Sequence, residues 1–483
     1  MNFFKRRSTP KLLFIIIPFL IFLQIHTAVF ADEQSDFDGY IVKLESRPQL
    51  QSDTRGIETY SFDVIVESEG LYLVEDNTLV EQLQREGSLV YSEPNYIIEL
   101  DAITYDVSQS EEKQWYYQKL NMEYCLNHDI RGESIRIGIV DSGIFASHID
   151  FANTTIIPGT NYCVSSDSEL RYNTNDSYGH GTFISGLIGA SNESANGMVG
   201  IAPDAELVPL KCFDGKNGSL ANIISAIYGG VDTYHCNIMN LSFGMQNDST
   251  ALSEAISYAF DKGVILVSSV GNLGAEGSSG NDPLFFPAAY PQVIGVGSTE
   301  SDDTISYFSC QNESVFLVAP GSNLRSLSYA NVNEHVVGSG TSYATAFVTA
   351  SAALALSIDQ ELTPVELMDF LKKSSKDLGS SGYDTIFGNG LLDIGSLLSK
   401  ISDRLHGPEF IIGDVNGDGR VTTLDRICLA RYLAKWEGYS EAELNLAAAD
   451  VNQDNKVTAI DRIIIARYLA KWDGYDTLPH KTD

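Results

Sequence analysis

Three short segments carry side chains that could act together on a polar covalent bond. The run Ile135-Arg136-Ile137-Gly138-Ile139-Val140-Asp141-Ser142-Gly143 is an apolar strand that ends on a carboxylate. Tyr178-Gly179-His180-Gly181-Thr182 sets an imidazole between glycines ahead of a helical pattern, where the absent side chains let backbone and substrate come close. Gly338-Ser339-Gly340-Thr341-Ser342-Tyr343-Ala344 puts a hydroxyl at the opening of an Ala-rich helix. Singly, these are an Asp closing a turn, a structural His and a helix N-cap. Together they supply an acid, a base and a nucleophile. A Ser hydroxyl is a poor nucleophile at neutral pH, so His180 would take the Ser342 proton on attack and return it to the leaving group. Asp141 would fix the imidazole tautomer and stabilise the imidazolium.

These side chains need a scaffold that brings distant segments to one edge. Between residues 115 and 400 apolar strand patterns over 135–140, 207–213, 237–241, 264–268 and 293–297 alternate with helical ones over 183–190, 222–234, 252–262 and 342–358. That alternation predicts an α/β fold, a doubly wound and mostly parallel sheet covered on both faces, with loops gathered at the strand ends. Ahead of it, residues 37–100 read as a small α+β unit, with alternating segments near 40–44 and 60–66 and a helical patch near 80–86. After a connector near 402–409, residues 413–439 and 449–475 match at 18 of 27 positions, an internal duplication.

The blocks around Asp141, His180 and Ser342, in that chain order, resemble the subtilisin-like serine peptidases (subtilases) over residues 115–400. Two more blocks agree. Val267-Ser268-Ser269-Val270-Gly271-Asn272 is similar to the segment carrying that family's oxyanion Asn, and Met239-Asn240-Leu241-Ser242-Phe243-Gly244 to the strand that pairs with substrate beside the S1 pocket. The resemblance implies that Asn272 and the Ser342 N–H bind the oxyanion. It also implies that Ser242, Phe243, Gly244 and Gly271 line an open, uncharged pocket with a broad or apolar preference. The family commonly has Pro four residues after the nucleophile; this chain has Ala346, a better helix former, so the helix is expected to form. The 37–100 unit, with Glu93-Pro94-Asn95-Tyr96 near its end, resembles the inhibitory prodomain of many subtilases, implying self-cleavage between about residues 102 and 112. A removable folding aid suits a parallel sheet, whose non-local contacts form slowly. His148-Ile149-Asp150 and the loop 192–196 resemble the family's calcium site, with Asp150 as a ligand.

In the duplication, Asp414, Asn416, Asp418, Arg420, Thr422 and Asp425 stand at positions 1, 3, 5, 7, 9 and 12 of a loop, the spacing of hard oxygen ligands for calcium, with Arg420 offering its carbonyl. Asp450, Asn452, Asp454, Lys456, Thr458 and Asp461 repeat it, with Asn455 in place of the turn glycine. Asn tolerates the positive φ required there. Asp rather than Glu at position 12, and the duplication itself, resemble type I dockerins, small α-helical calcium-binding modules that bind cohesin on scaffold proteins. The resemblance covers residues 408–477 and implies that Thr423-Leu424 and Ala459-Ile460 face the partner. Such a module has little core, so calcium is expected to hold it together.

The 483 residues suit about three domains. With 43% hydrophobic and 20% charged residues, real cores can be filled. A formal charge of -33 repels phosphate backbones, which argues against nucleic acid as a partner. Lys5, Arg6, Arg7 and Lys11 precede an apolar run over 12–25 and a small-residue site ending at Ala31, a secretory signal by pattern. The run is short for a stable membrane anchor and contains Pro18. The six cysteines show no metal spacing, and Cys428, opposite Ile464 in the duplication, is expected to be a buried free thiol. The expectation is a secreted serine endopeptidase acting on proteins or peptides and anchored through a dockerin. The alternatives are a degenerate, scaffold-bound peptide receptor, or an enzyme whose dockerin is only a stabilising tail.

Overall fold

The structure, a computed structural model, describes residues 37–45, 62–100, 103–106, 114–194, 196–274, 280–406, 410–440, 444–454 and 456–479. The expected signal segment, Asn455, and all but 103–106 of the expected cleavage segment lie outside these residues.

Seven strands form one sheet in the order Leu317–Pro320, Val293–Thr299, Ile265–Ser269, Ile238–Leu241, Arg136–Asp141, Glu206–Lys211, Thr160–Asn161. Every pairing in it is parallel. Parallel strands need crossover connections, and helices supply them on both faces. On one face, His180–Gly189 and Thr341–Ile358 pack into a core with Ile137, Ile139 and Val267. On the other, Leu220–Asp232 and Thr250–Asp261 cover Val140, Leu210 and Leu266. This is the α/β architecture expected from the sequence. Thr341–Ile358 runs unbroken through Ala346; it is long and apolar enough to span a membrane, yet 89% of its apolar window is buried in the protein.

The first described unit is an antiparallel sheet built from Phe37–Leu44, Asp63–Val66, Leu71–Val74 and Leu89–Glu99, with the helix Asn77–Glu86 packed on one face through Leu79, Val80 and Leu83. Its sheet continues into the larger unit: Ile97, Ile98 and Glu99 pair with Ser219, Gly218 and Asn217. Two side chains of the Glu93-Pro94-Asn95-Tyr96 segment cap helices there. Glu93 accepts from Thr250 N at 2.9 Å, Ala251 N at 3.2 Å and Ser249 Oγ at 2.5 Å, while Asn95 Oδ1 accepts from Ala221 N at 2.9 Å. A carboxylate at exposed helix N–H groups satisfies orphan donors and complements the helix dipole.

The C-terminal duplication forms helices Thr423–Leu433, Leu446–Ala449 and Ala459–Leu469 around a core of Val415, Cys428, Leu429, Val451, Ile464 and Ile465. Cys428 is a buried free thiol, as are Cys125, Cys212 and Cys236; Cys163 is a half-buried one, and Cys310 is buried.

Glu93→Ala in the full chain is expected to lower stability by about 0.5–2 kcal/mol through the lost helix cap. Thermal unfolding in a Ser342→Ala background, which prevents self-digestion, measures it.

Candidate active site

The strand Arg136–Asp141 ends with Asp141 fully buried, and the helix His180–Gly189 begins on a His180 equally removed from solvent. His180 Nδ1 lies 3.0 Å from Asp141 Oδ1 and 2.9 Å from Oδ2. Close approach of the two segments depends on glycine. A methyl group on Gly181 would lie 2.2 Å from Gly143 O and 3.1 Å from Asp141 Oδ1, and Gly143 has φ of +110°. With Nδ1 held by the carboxylate, Nε2 is left buried and without a hydrogen-bond partner.

The nucleophile candidate, Ser342, is the second residue of its helix. Its Oγ donates to Ser242 O at 3.1 Å, and Ser242 Oγ donates back to Ser342 O at 2.9 Å. Tyr343 beside it stacks on Phe183 at 4.0 Å between centroids and lies 5.8 Å from the His180 ring, so the Ser and His helices are packed as a pair. Asn272 Oδ1 accepts from Thr341 N at 2.9 Å and Thr341 Oγ1 at 2.8 Å. That turns its amide nitrogen toward Gly340, where a methyl group would lie 3.8 Å from both Asn272 Nδ2 and Ser342 N. The two expected oxyanion donors thus lie close to one point beside Gly340.

Ser242, Phe243 and Gly244 follow the strand Ile238–Leu241, and Gly271, at φ +102°, follows Ile265–Ser269. A residue the sequence reading missed stands between them. The Phe285 ring lies 2.5 Å from where a Gly271 methyl would be, and a Gly244 methyl would lie 3.1 Å from Phe285 Cβ. The pocket expected to be open is thus bordered by a buried aromatic ring. Phe285 sits in an irregular stretch with no periodicity to mark it.

Asp150 is buried but surrounded by nitrogen rather than oxygen. Its carboxylate accepts from His335 Nε2 at 2.6 Å, Asn192 Nδ2 at 2.5 Å and Met198 N at 3.1 Å. Burial pushes this carboxyl up, but the His335 and Asn192 hydrogen bonds and the charges of His335 and His148 outweigh it and hold the pKa below the usual carboxylate value. Arg325 reaches the same loop, donating to Asn196 O at 3.3 Å, and its charge acts on Asp150. Calcium takes oxygen ligands and is repelled by cationic neighbours, so this donor set does not fit it.

The two C-terminal loops fit better. Asp425 and Asp461 are completely buried, and their hydrogen-bond donors are neutral: Asn416 N and Thr422 N for the first, Val451 N and Thr458 N for the second. Asp414 accepts from Asp418 N and Gly419 N, which already wraps its loop. Buried carboxylates without a cation are costly, and hard-oxygen loops of this order suit calcium. Among the described residues no three Asp, Glu, His or Cys side chains converge closely enough to hold an ion by themselves. Asn416, Thr422 and the Arg420 carbonyl, with Asn452, Thr458 and the Lys456 carbonyl, would complete the sets around Asp414, Asp418 and Asp425 and around Asp450, Asp454 and Asp461. Leu424 and Ile460 are half-exposed at the helix starts. Between the two long helices runs an open groove flanked by Arg431, Arg467, Trp436 and Trp472. Each arginine stacks over its neighbouring tryptophan ring.

Residues 132–390 match the family model described as "Subtilase family", and residues 412–470 the one described as "Dockerin type I domain". Among curated relatives, the Minor extracellular protease Epr of Bacillus subtilis is 30% identical over 80% of this chain and 58% of its own length, so the chain spans little more than half of that relative. Subtilisin DY of Bacillus licheniformis is 33% identical over 55% of this chain and 90% of its own. The Thermostable alkaline protease of Halalkalibacterium halodurans is 30% identical over 80% and 96%. A crystal structure of fervidolysin from Fervidobacterium pennivorans, titled a keratinolytic enzyme related to subtilisin, shares the fold at a TM-score of 0.64 and 21% identity, over 76% of this chain and 61% of that one.

His335→Ala should cost about 1–3 kcal/mol by leaving a buried carboxylate short of a donor. Calorimetric melting with and without added calcium checks it: no rescue by calcium is expected.

Proposed function

Because this chain belongs to the subtilase family and carries a type I dockerin domain, we propose that it is a secreted serine endopeptidase, attached through that dockerin to a cohesin-bearing scaffold protein. One observation carries the catalytic half. His180 Nε2 is buried with no partner while Nδ1 is fixed on Asp141, and Ser342 Oγ spends its hydrogen on a single 3.1 Å bond to Ser242 O. Exchange of that bond for one to Nε2 would give the base its proton.

Ser342 Oγ then bonds to the scissile carbonyl carbon as its proton passes to Nε2. The carbonyl electron pair moves onto oxygen, between Asn272 Nδ2 and Ser342 N. Collapse breaks the C–N bond, and His180 gives the proton to the leaving amine, leaving an acyl-enzyme. Water repeats the sequence and restores Ser342. Asp141 orients the imidazole and stabilises the imidazolium as it forms. The unit at 37–100 is read as a prodomain, supported by its continuous pairing with Asn217–Ser219 and its capping of two helices.

Type I dockerin domains bind calcium. Here the ion would neutralise the buried Asp425 and Asp461 and tie each loop to its helix. Protein partners suit the half-exposed Leu424 and Ile460 and the stacked arginines of the groove.

Incubated with unfolded casein, the wild type should hydrolyse it and the Ser342→Ala variant should not. Asn272→Ala should lose about 3–4 kcal/mol of transition-state stabilisation, seen in kcat with KM little changed. An effect confined to KM would contradict the oxyanion role. Chelation of calcium should abolish the circular dichroism helicity of the isolated 408–477 segment; unchanged helicity would contradict the calcium assignment.

A further inference from the structure

Four residues before the catalytic histidine stands Asp176, whose carboxylate is the most heavily used acceptor near the site. Its Oδ1 accepts from Ser142 Oγ at 2.8 Å, Tyr178 N at 2.9 Å and Gly179 N at 2.8 Å. Its Oδ2 accepts from Thr182 N at 2.8 Å and Thr182 Oγ1 at 2.6 Å. These bonds fasten both sides of His180. The helix that His180 opens has Gly179 at its N-cap, which has no side chain to satisfy the first N–H groups, and Asp176 supplies the acceptor instead.

The link to Asp141 runs through Ser142. The Ser142 N–H donates to Asp141 Oδ1 at 2.7 Å, and its hydroxyl lies 3.2 Å from that oxygen but 2.8 Å from Asp176. One hydroxyl hydrogen serves one strong bond, so the shorter contact to Asp176 sets the rotor. The oxygen then accepts from Gly181 N at 3.1 Å, immediately after His180. From the other side, buried Lys211 grips the same residue: its ammonium donates to Ser142 O at 2.6 Å, Ser177 Oγ at 2.9 Å and Phe213 O at 2.9 Å.

We propose that Asp176 is a positioning residue of this peptidase, holding the Asp141-bearing turn and the His180-bearing helix end in register through the Ser142 hydroxyl. This deepens the peptidase reading above and rests on it. A carboxylate is required, because the five donors leave no place for the N–H groups of an amide.

The test is the full chain carrying Asp176→Asn, Ser142→Ala or both, assayed for kcat and KM well below the melting temperature measured on the same samples. Asp176→Asn is expected to lower kcat roughly 10- to 100-fold through misplaced catalytic groups, and its rate of fluorophosphonate labelling in parallel. KM should stay within about twofold, and the double variant should be no slower than Asp176→Asn alone. Wild-type kcat in a folded Asp176→Asn or Ser142→Ala protein would overturn the proposal, as would losses that multiply in the double variant. Should Asp176→Asn not fold, Ser142→Ala decides, since full activity without the hydroxyl removes the link. An inactive wild type would contradict the peptidase reading itself; an active wild type with unimpaired variants contradicts the positioning role alone.

Discussion

Everything around the site depends on keeping Asp141 and His180 together out of water. Desolvating an ionisable pair costs several kcal/mol per charge and is tolerated only where geometry and further hydrogen bonds compensate. Here the compensation comes from all sides. The Asp sits at the end of a central parallel strand, flanked in register by Glu206–Lys211 on one side and Ile238–Leu241 on the other. Its oxygens take the imidazole and the Ser142 N–H, and the glycines at 143 and 181 leave the room for that contact. Once the imidazole is fixed at Nδ1, Nε2 is left buried without a hydrogen-bond partner.

The two halves of the chain solve the stability problem differently. The peptidase half buries a continuous apolar core on both faces of its sheet, and its buried Asp150 is satisfied from within by hydrogen bonds from His335, Asn192 and the Met198 N–H. The C-terminal module has a handful of core residues and two fully buried carboxylates with only neutral donors. Small domains commonly need metals or disulfides to fold, and here the cysteine is a thiol and the loops are oxygen-rich.

The parallel sheet, its helices and the duplication were legible because each rests on a periodic pattern: apolar runs for buried strands, a 3.6-residue repeat for helices, a repeat of loop spacing for the calcium motif. Asp141, His180 and Ser342 were legible because each sits at a strand end or helix start. What remained hidden depends on side chains meeting across the fold. Nothing in the sequence near 325 and 335 shows that Arg325 and His335 enter the Asp150 site, so a calcium ligand was expected there. Phe285 lies in an irregular segment, and its contact with Gly244 and Gly271 exists only in three dimensions. Asp176 reads locally as a turn residue; only the approach of Ser142, just past the strand Arg136–Asp141, reveals its second task. Glu93 was noticed as part of a segment, but its role as a cap for a helix more than 150 residues away could not be read from spacing.

The claim at the centre is that the buried pair makes Ser342 a nucleophile. Stoichiometric labelling with a fluorophosphonate, followed by peptide mass mapping, tests it without any assumption about substrate. One adduct per chain on Ser342, lost in His180→Ala while the fold is retained, is the expected result. A folded wild-type protein that takes no label, or takes it on another residue, would contradict it.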